Sequence, residues 1–160
     1  MRFSSSLATL LAIAILLVYG AAELHAAGSS SRSKPAPSSN DYSRAMTLIE
    51  AGDYQNALPL LERVVRREPS NADVWNYIGF SHRKLGKFEP ALAAYNKSLT
   101  LDAQHKGALE YLGELYVQTG QLDRARELLM RLDDACGFFG CKEYDDLKAV
   151  IDSHKPKVGS

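Results

Sequence analysis

The chain has 160 residues, of which 46% are apolar and 24% charged, and its nineteen basic residues are matched by nineteen acidic ones at a pI near 6.9. That length accommodates one domain with a sizeable core and a short appendage. The neutral balance supplies no overall field to draw nucleic acid or an anionic membrane surface, so neither is expected as a partner.

Residues 1–26 read as a signal peptide. A single positive charge, Arg2, precedes sixteen uncharged and almost wholly apolar residues at 7–22, and small residues follow. Cleavage sites present themselves after Ala22, Ala26 and Ala27. The alternative is an uncleaved membrane anchor, but a span usually needs about twenty apolar residues and this run stops at Glu23. The expected location is therefore exported, periplasmic or secreted. Residues 27–37 form a Ser/Pro linker. Between 28 and 40, six of thirteen residues are serine and two are proline, which leaves too little apolar surface to offset the entropy of ordering.

From residue 38 onward the sequence aligns with itself at an interval of 34 residues. Ala45, Gly79 and Gly113 share one column, Gly52, Gly86 and Gly120 a second, and Ala57, Ala91 and Ala125 a third. Large apolar residues share two more: Leu61, Tyr95 and Leu129, then Tyr54, Phe88 and Leu122. Each unit reads as two short amphipathic helices joined by a glycine turn, and small residues at Gly79 and Ala91 allow the two backbones a close approach. Trp75, Ile78 and Tyr95 are expected to fill the space around that contact. The expected units are residues 38–71, 72–105 and 106–139, followed by a capping helix at 140–154 and a frayed tail at 155–160. In the capping helix Tyr144, Leu147, Val150 and Ile151 fall on one face.

This pattern resembles the tetratricopeptide repeat, most closely through Trp75, Ile78, Gly79, Ala91 and Tyr95, and in the third unit through Leu112, Gly113, Tyr116, Gly120 and Ala125. The resemblance covers 38–139 and implies an all-α superhelix, a solenoid of three helical hairpins plus the capping helix. The first unit departs from it, with Asp41 and Arg44 where the second has Trp75 and Ile78, as expected of an N-terminal cap that turns this face to water. His82, where an aromatic or leucine is common, is expected to pack in the core. Ser70 with Asp73 reads as a capping box for the third helix, and Asp102 as a cap for the next hairpin. Pro90 falls in the first turn of its helix, where a missing donor matters little.

No phosphate-cradling glycine loop, metal-ligand spacing, paired-carboxylate site or nucleophile elbow stands in the chain. The expectation is a non-enzymatic protein with no cofactor, no metal and no small-molecule substrate. Cys136 and Cys141 are the one chemical pair, and Gly137 to Gly140 between them break the helix that would otherwise hold them apart, so an exported chain is expected to join them in a disulfide.

In tetratricopeptide repeats a stripe of each first helix lines a concave groove. The resemblance carries that stripe onto Tyr42, Met46 and Ile49 of the first unit, Asp73, Asn76, Phe80 and Arg83 of the second, and Glu110, Glu114 and Val117 of the third. Some family members grip a C-terminal carboxylate with basic residues and asparagines. Glu110 and Glu114 oppose that mode here, and a segment with an apolar anchor and a basic residue suits the groove better. Phe80 is expected to anchor the partner and Trp75 to belong to the core. The implied function is a protein-protein interaction adaptor that binds a peptide or helix segment of another protein. The alternative is a self-associating structural module of an envelope assembly, and a homodimer remains open.

Overall fold

The computed structural model describes residues 39–154, so the expected signal peptide, the linker and the tail lie outside the described residues. Seven α-helices follow in order: α1 (Ser39–Glu50), α2 (Tyr54–Val65), α3 (Ala72–Lys84), α4 (Phe88–Leu101), α5 (Lys106–Gln118), α6 (Leu122–Cys136) and α7 (Lys142–Ser153), with a 3₁₀ turn (Gly137–Phe139) ahead of the last. They pair as the hairpins α1/α2, α3/α4 and α5/α6, each packed on the next, while α7 lies against both α5 and α6.

The turns follow from glycine chemistry. Gly52, Gly86 and Gly120 take φ of 76°, 72° and 76°, a left-handed conformation that a side chain would strain. Reversing the chain there lets the next residue's amide reach back to an otherwise unpaired carbonyl: Asp53 donates to Leu48, Lys87 to His82 and Gln121 to Tyr116, at 2.7 to 2.9 Å. A first helix that stops this way is followed at once by a second that folds back along it.

Close packing of the helices rests on the small column. A Cβ at Gly79 would sit 2.6 Å from Tyr95 Cδ1, so only glycine lets the wholly buried Tyr95 ring lie on α3. At Gly113 a Cβ would meet Leu147 Cδ2 at 2.5 Å, which brings α7 equally close to α5. Leu147 and Ile151 are buried there, and Tyr144 and Val150 pack beside them, so the apolar face expected of the capping helix is the face that docks. Two core clusters result, one from α1 to α4 around Leu61, Val64 and Val74, the other from α4 to α7 around Tyr95, Leu109 and Leu132.

Several local expectations need correction. Asn71, not the Ser70 and Asp73 pair, caps α3, its side chain accepting from Val74 N at 3.2 Å. His105 caps α5 through Nδ1, which accepts from Ala108 N at 3.1 Å, while Asp102 accepts from Gln104 N within the preceding turn. Asp41 does not simply face water: Arg63 reaches across from α2 and donates to both its carboxylate oxygens at 3.0 Å, which holds the carboxyl below its usual range. Trp75 is only half buried, its Nε1 donating to Pro69 O at 2.9 Å, and it flanks the first core cluster from outside. His82 is half buried too, and burial pushes its pKa down. Spacing alone could not show this, because it gives the direction of a side chain from its helix axis but not how far the neighbouring helices extend over it.

Candidate partner-binding groove

The first helices α1, α3 and α5 bring an aromatic row together. Tyr42 on α1 meets Tyr77 on α3 edge-on with ring centroids 6.3 Å apart. Phe80, one turn further along α3, sits between Tyr54 at 5.8 Å and Tyr111 of α5 at 4.8 Å. Burial drives the Tyr42 and Tyr111 hydroxyls up to about 12, so both remain neutral donors across the physiological range. Lys84 lays its ammonium 5.2 Å from the Phe80 ring centroid.

Beneath the row lies an ion pair. The Arg83 side chain is 1% exposed and its Nη2 donates to Glu114 Oε2 at 2.6 Å, joining α3 to α5. Its guanidinium lies 5.5 Å from the Phe80 centroid and 5.6 Å from that of Tyr111, and Nε points to the Tyr95 hydroxyl at 3.4 Å. A cation taken out of water needs such a set of partners, because each unpaired buried charge costs several kcal/mol. Arg83 therefore holds the repeats together and has no charge to spare for a ligand.

The other expected groove residues divide. Asp73 is exposed and accepts a hydrogen bond from His105 Nε2 at 3.0 Å, consistent with Nδ1 of the same ring serving as the α5 cap. Met46 is half buried against the first core cluster. Ile49 and Val117 are corrections: they are 9% and 4% exposed and belong to the two core clusters, covered by the helices that follow them. Asn76 is also closed off, its Oδ1 buried without a partner among the described residues. Phe80, expected to anchor a partner, packs within the chain between Tyr54 and Tyr111. Tyr77, Tyr111 and Lys84 were not singled out from sequence, and Tyr54 was read only as a member of a repeat column. Tyr77 and Tyr111 share a column next to the groove column, and that recurrence was the available signal.

Glu110 is buried at 6% exposure, close to Glu114 on its own helix and to Asp146 and Glu143 on α7, with the Lys142 cation acting against them. Burial first, and then these like charges, raise its pKa to about 7. In the folded state Glu110 keeps its proton where the unfolded chain has lost it, so its ionisation destabilises the fold as pH rises from about 4.5 to about 7, with no further change above. Unfolding of Glu110→Gln by urea should show a gain over the wild type that is small at pH 5 and grows to on the order of 2 kcal/mol by pH 8. Parallel pH profiles for the two proteins would refute it.

The sequence pattern of the tetratricopeptide repeat matches residues 42–105 and again 82–151. The chain belongs to the tetratricopeptide repeat family. Curated relatives share the repeat region alone: the probable biofilm formation methyltransferase WspC of Pseudomonas putida is 33% identical over 84 residues, 52% of this chain and 20% of that protein. General transcription factor 3C polypeptide 3 of Homo sapiens is 35% identical over 91 residues, 56% of this chain and 10% of that one. The chain thus spans a fifth or less of the curated relatives it matches. Among solved structures, the Yersinia enterocolitica type III secretion chaperone SycD, in complex with a peptide of the translocator YopD, superposes with a TM-score of 0.62 at 18% identity, covering 71% of this chain and 86% of that one. The second repeat domain of human RPAP3, in complex with the HSP70 peptide SGPTIEEVD, gives 0.62 at 19% over 70% and 92%. The Sgt2 repeat domain of Aspergillus fumigatus gives 0.64 at 16% over 71% and 76%. At these identities the likeness establishes the tetratricopeptide solenoid and nothing of the ligand.

Proposed function

We propose that this tetratricopeptide protein is a non-enzymatic, exported adaptor that holds an extended or helical segment of another protein in the groove formed by α1, α3 and α5, the segment carrying an apolar side chain beside a basic residue. The observation that carries this reading is the Arg83–Glu114 pair, which neutralises the buried cation beneath the aromatic row, while Asp73 stays exposed near Tyr42 and Tyr77 and Lys84 is turned onto the Phe80 ring. Structural neighbours hold peptides of partner proteins, among them peptides ending in EEVD. In this chain the Arg83 charge is spent on Glu114 and is not available to grip such an acidic end.

Fluorescence anisotropy with labelled SRMEEVD, and with a counterpart in which lysine replaces both glutamates and the aspartate, tests the charge preference. The basic peptide should bind at least about tenfold tighter, a difference of about 1.4 kcal/mol. Tighter binding of the acidic peptide would overturn the reading.

Export brings with it a Cys136–Cys141 disulfide. The two residues bracket the turn between α6 and α7 with Cα atoms 5.4 Å apart and sulfurs in contact, a spacing ordinary for a bridge. Closing so short a loop is worth about 2 kcal/mol in the chain-entropy model, so reduction should lower the melting temperature without abolishing the fold. Intact mass of protein from its native host checks both points. The expected chain begins between residues 23 and 28 and lacks two protons at the cysteines, whereas a full-length product with two free thiols would sink export and disulfide alike.

A further inference from the structure

The loop between α6 and α7 forms a second surface. Between the cysteines, Phe138 and Phe139 are 98% and 96% exposed, packed only on each other edge-to-face with centroids 5.5 Å apart. Gly137 and Gly140 on either side take φ of 65° and 68°, turning the loop outward, while Cys136 and Cys141 meet at its base. Two large aromatics held fully in water on a tight loop form an apolar knob, and side chains of this kind concentrate binding energy when buried.

A matching hollow is present on the same chain. Residues of α2, α3 and α4, chiefly Val65, Trp75, Ile78, Pro90, Ala93 and Ala94, line an open groove of about 530 Å³. The equivalent groove one repeat later, about 520 Å³, has the same position in the solenoid but a different chemistry. Arg124 and Glu127 stand there where the first groove has Pro90 and Ala93. The apolar lining is therefore particular to the first groove and not required by the fold. This is also where Trp75 is left half exposed, which the core does not explain.

Charge selects the occupant. Arg66 and Lys97 stand on the apolar groove's rim with Glu62 as the one acid, whereas the helix end that carries the knob presents exposed Asp133 and Asp134. We propose that the Phe138–Phe139 knob of one molecule docks in the Trp75–Ala93 groove of a second copy of this chain. Knob and groove are different patches, so the contact is heterologous, and each molecule keeps a free knob and a free groove for further copies. A knob of two phenylalanines falls well below the roughly 1,200 Å² total that stable interfaces bury, so association is weak and concentration-dependent.

The test is sedimentation velocity of residues 38–160, which contain every described helix and both core clusters, from about 10 to 500 μM, a range suited to a small interface. The wild type should sediment faster with concentration. Phe138→Ser/Phe139→Ser and Ala93→Glu should each stay monomeric, the second copying the glutamate that the next repeat carries at this position, with Pro90→Arg as a substitute should it fail to fold. An equimolar mixture of the knob variant and the groove variant should recover association and stop at dimers, since one supplies only a groove and the other only a knob. A wild type that stays monomeric, a variant that associates like the wild type, or a mixture that stays monomeric would each overturn the proposal. So would flotation of a monomeric wild type with neutral phosphatidylcholine vesicles, lost in the phenylalanine variant, which would assign the knob to a membrane instead.

Discussion

Glu114→Ala should destabilise the protein by about 3–5 kcal/mol, far more than a half-buried carboxylate on a helix face would ordinarily cost, because it strands the Arg83 guanidinium at 1% exposure with no counter-charge. The remaining neighbours do not replace it: the Tyr95 hydroxyl is 3.4 Å from Nε and the Phe80 and Tyr111 rings lie beyond 5 Å. Removing both charges reverses the logic. Arg83→Met/Glu114→Met should recover to within about 1 kcal/mol of the wild type, since apolar side chains of similar length fill the site without desolvating an ion. Urea unfolding of Arg83→Met, Glu114→Met and the double variant completes the cycle. A Glu114→Ala loss under about 1 kcal/mol would mean that water reaches Arg83 and that the pair is a surface contact.

Tyr95→Ala should cost about 3–5 kcal/mol, the range for deleting a fully buried aromatic that the surrounding helices cannot close over. Its counterpart across the hairpin is Gly79, where an added methyl meets the ring at 2.6 Å, so Gly79→Ala should cost about 1–3 kcal/mol through overpacking. The two positions are coupled and should not add. In the first hairpin the same two columns hold Ala45 and Leu61, both fully buried in one cluster. Gly79→Ala/Tyr95→Leu copies that pair and should return most of the stability lost by Gly79→Ala alone. If the double variant is as unstable as the sum of its parts, the close approach of α3 and α4 is not what the glycine is for.

The 34-residue interval, the glycine that ends each first helix and the apolar face of α7 were legible in sequence because each is a local requirement: a left-handed turn admits little but glycine, and a helix that docks on one side shows its face as a 3.6-residue period. The all-α solenoid of three hairpins and a capping helix follows from these, and the structure has it. The groove was legible only as a direction. The family resemblance placed Arg83, Glu110, Glu114, Ile49 and Val117 on the concave side, but burial depends on which neighbouring helices cover them. That made Ile49 and Val117 core, tied Arg83 to Glu114 and raised Glu110 to a pKa of about 7. Cap identity failed for a similar reason, since Asn71 and His105 win over Ser70 and Asp102 by shifts of one and three residues at the helix entry, which composition does not register. The sequence by itself thus determined which elements form, where they turn and which face of α7 docks. Only the tertiary structure decided which polar groups are desolvated, because desolvation is a property of the neighbours that enclose a group and not of the helix that carries it.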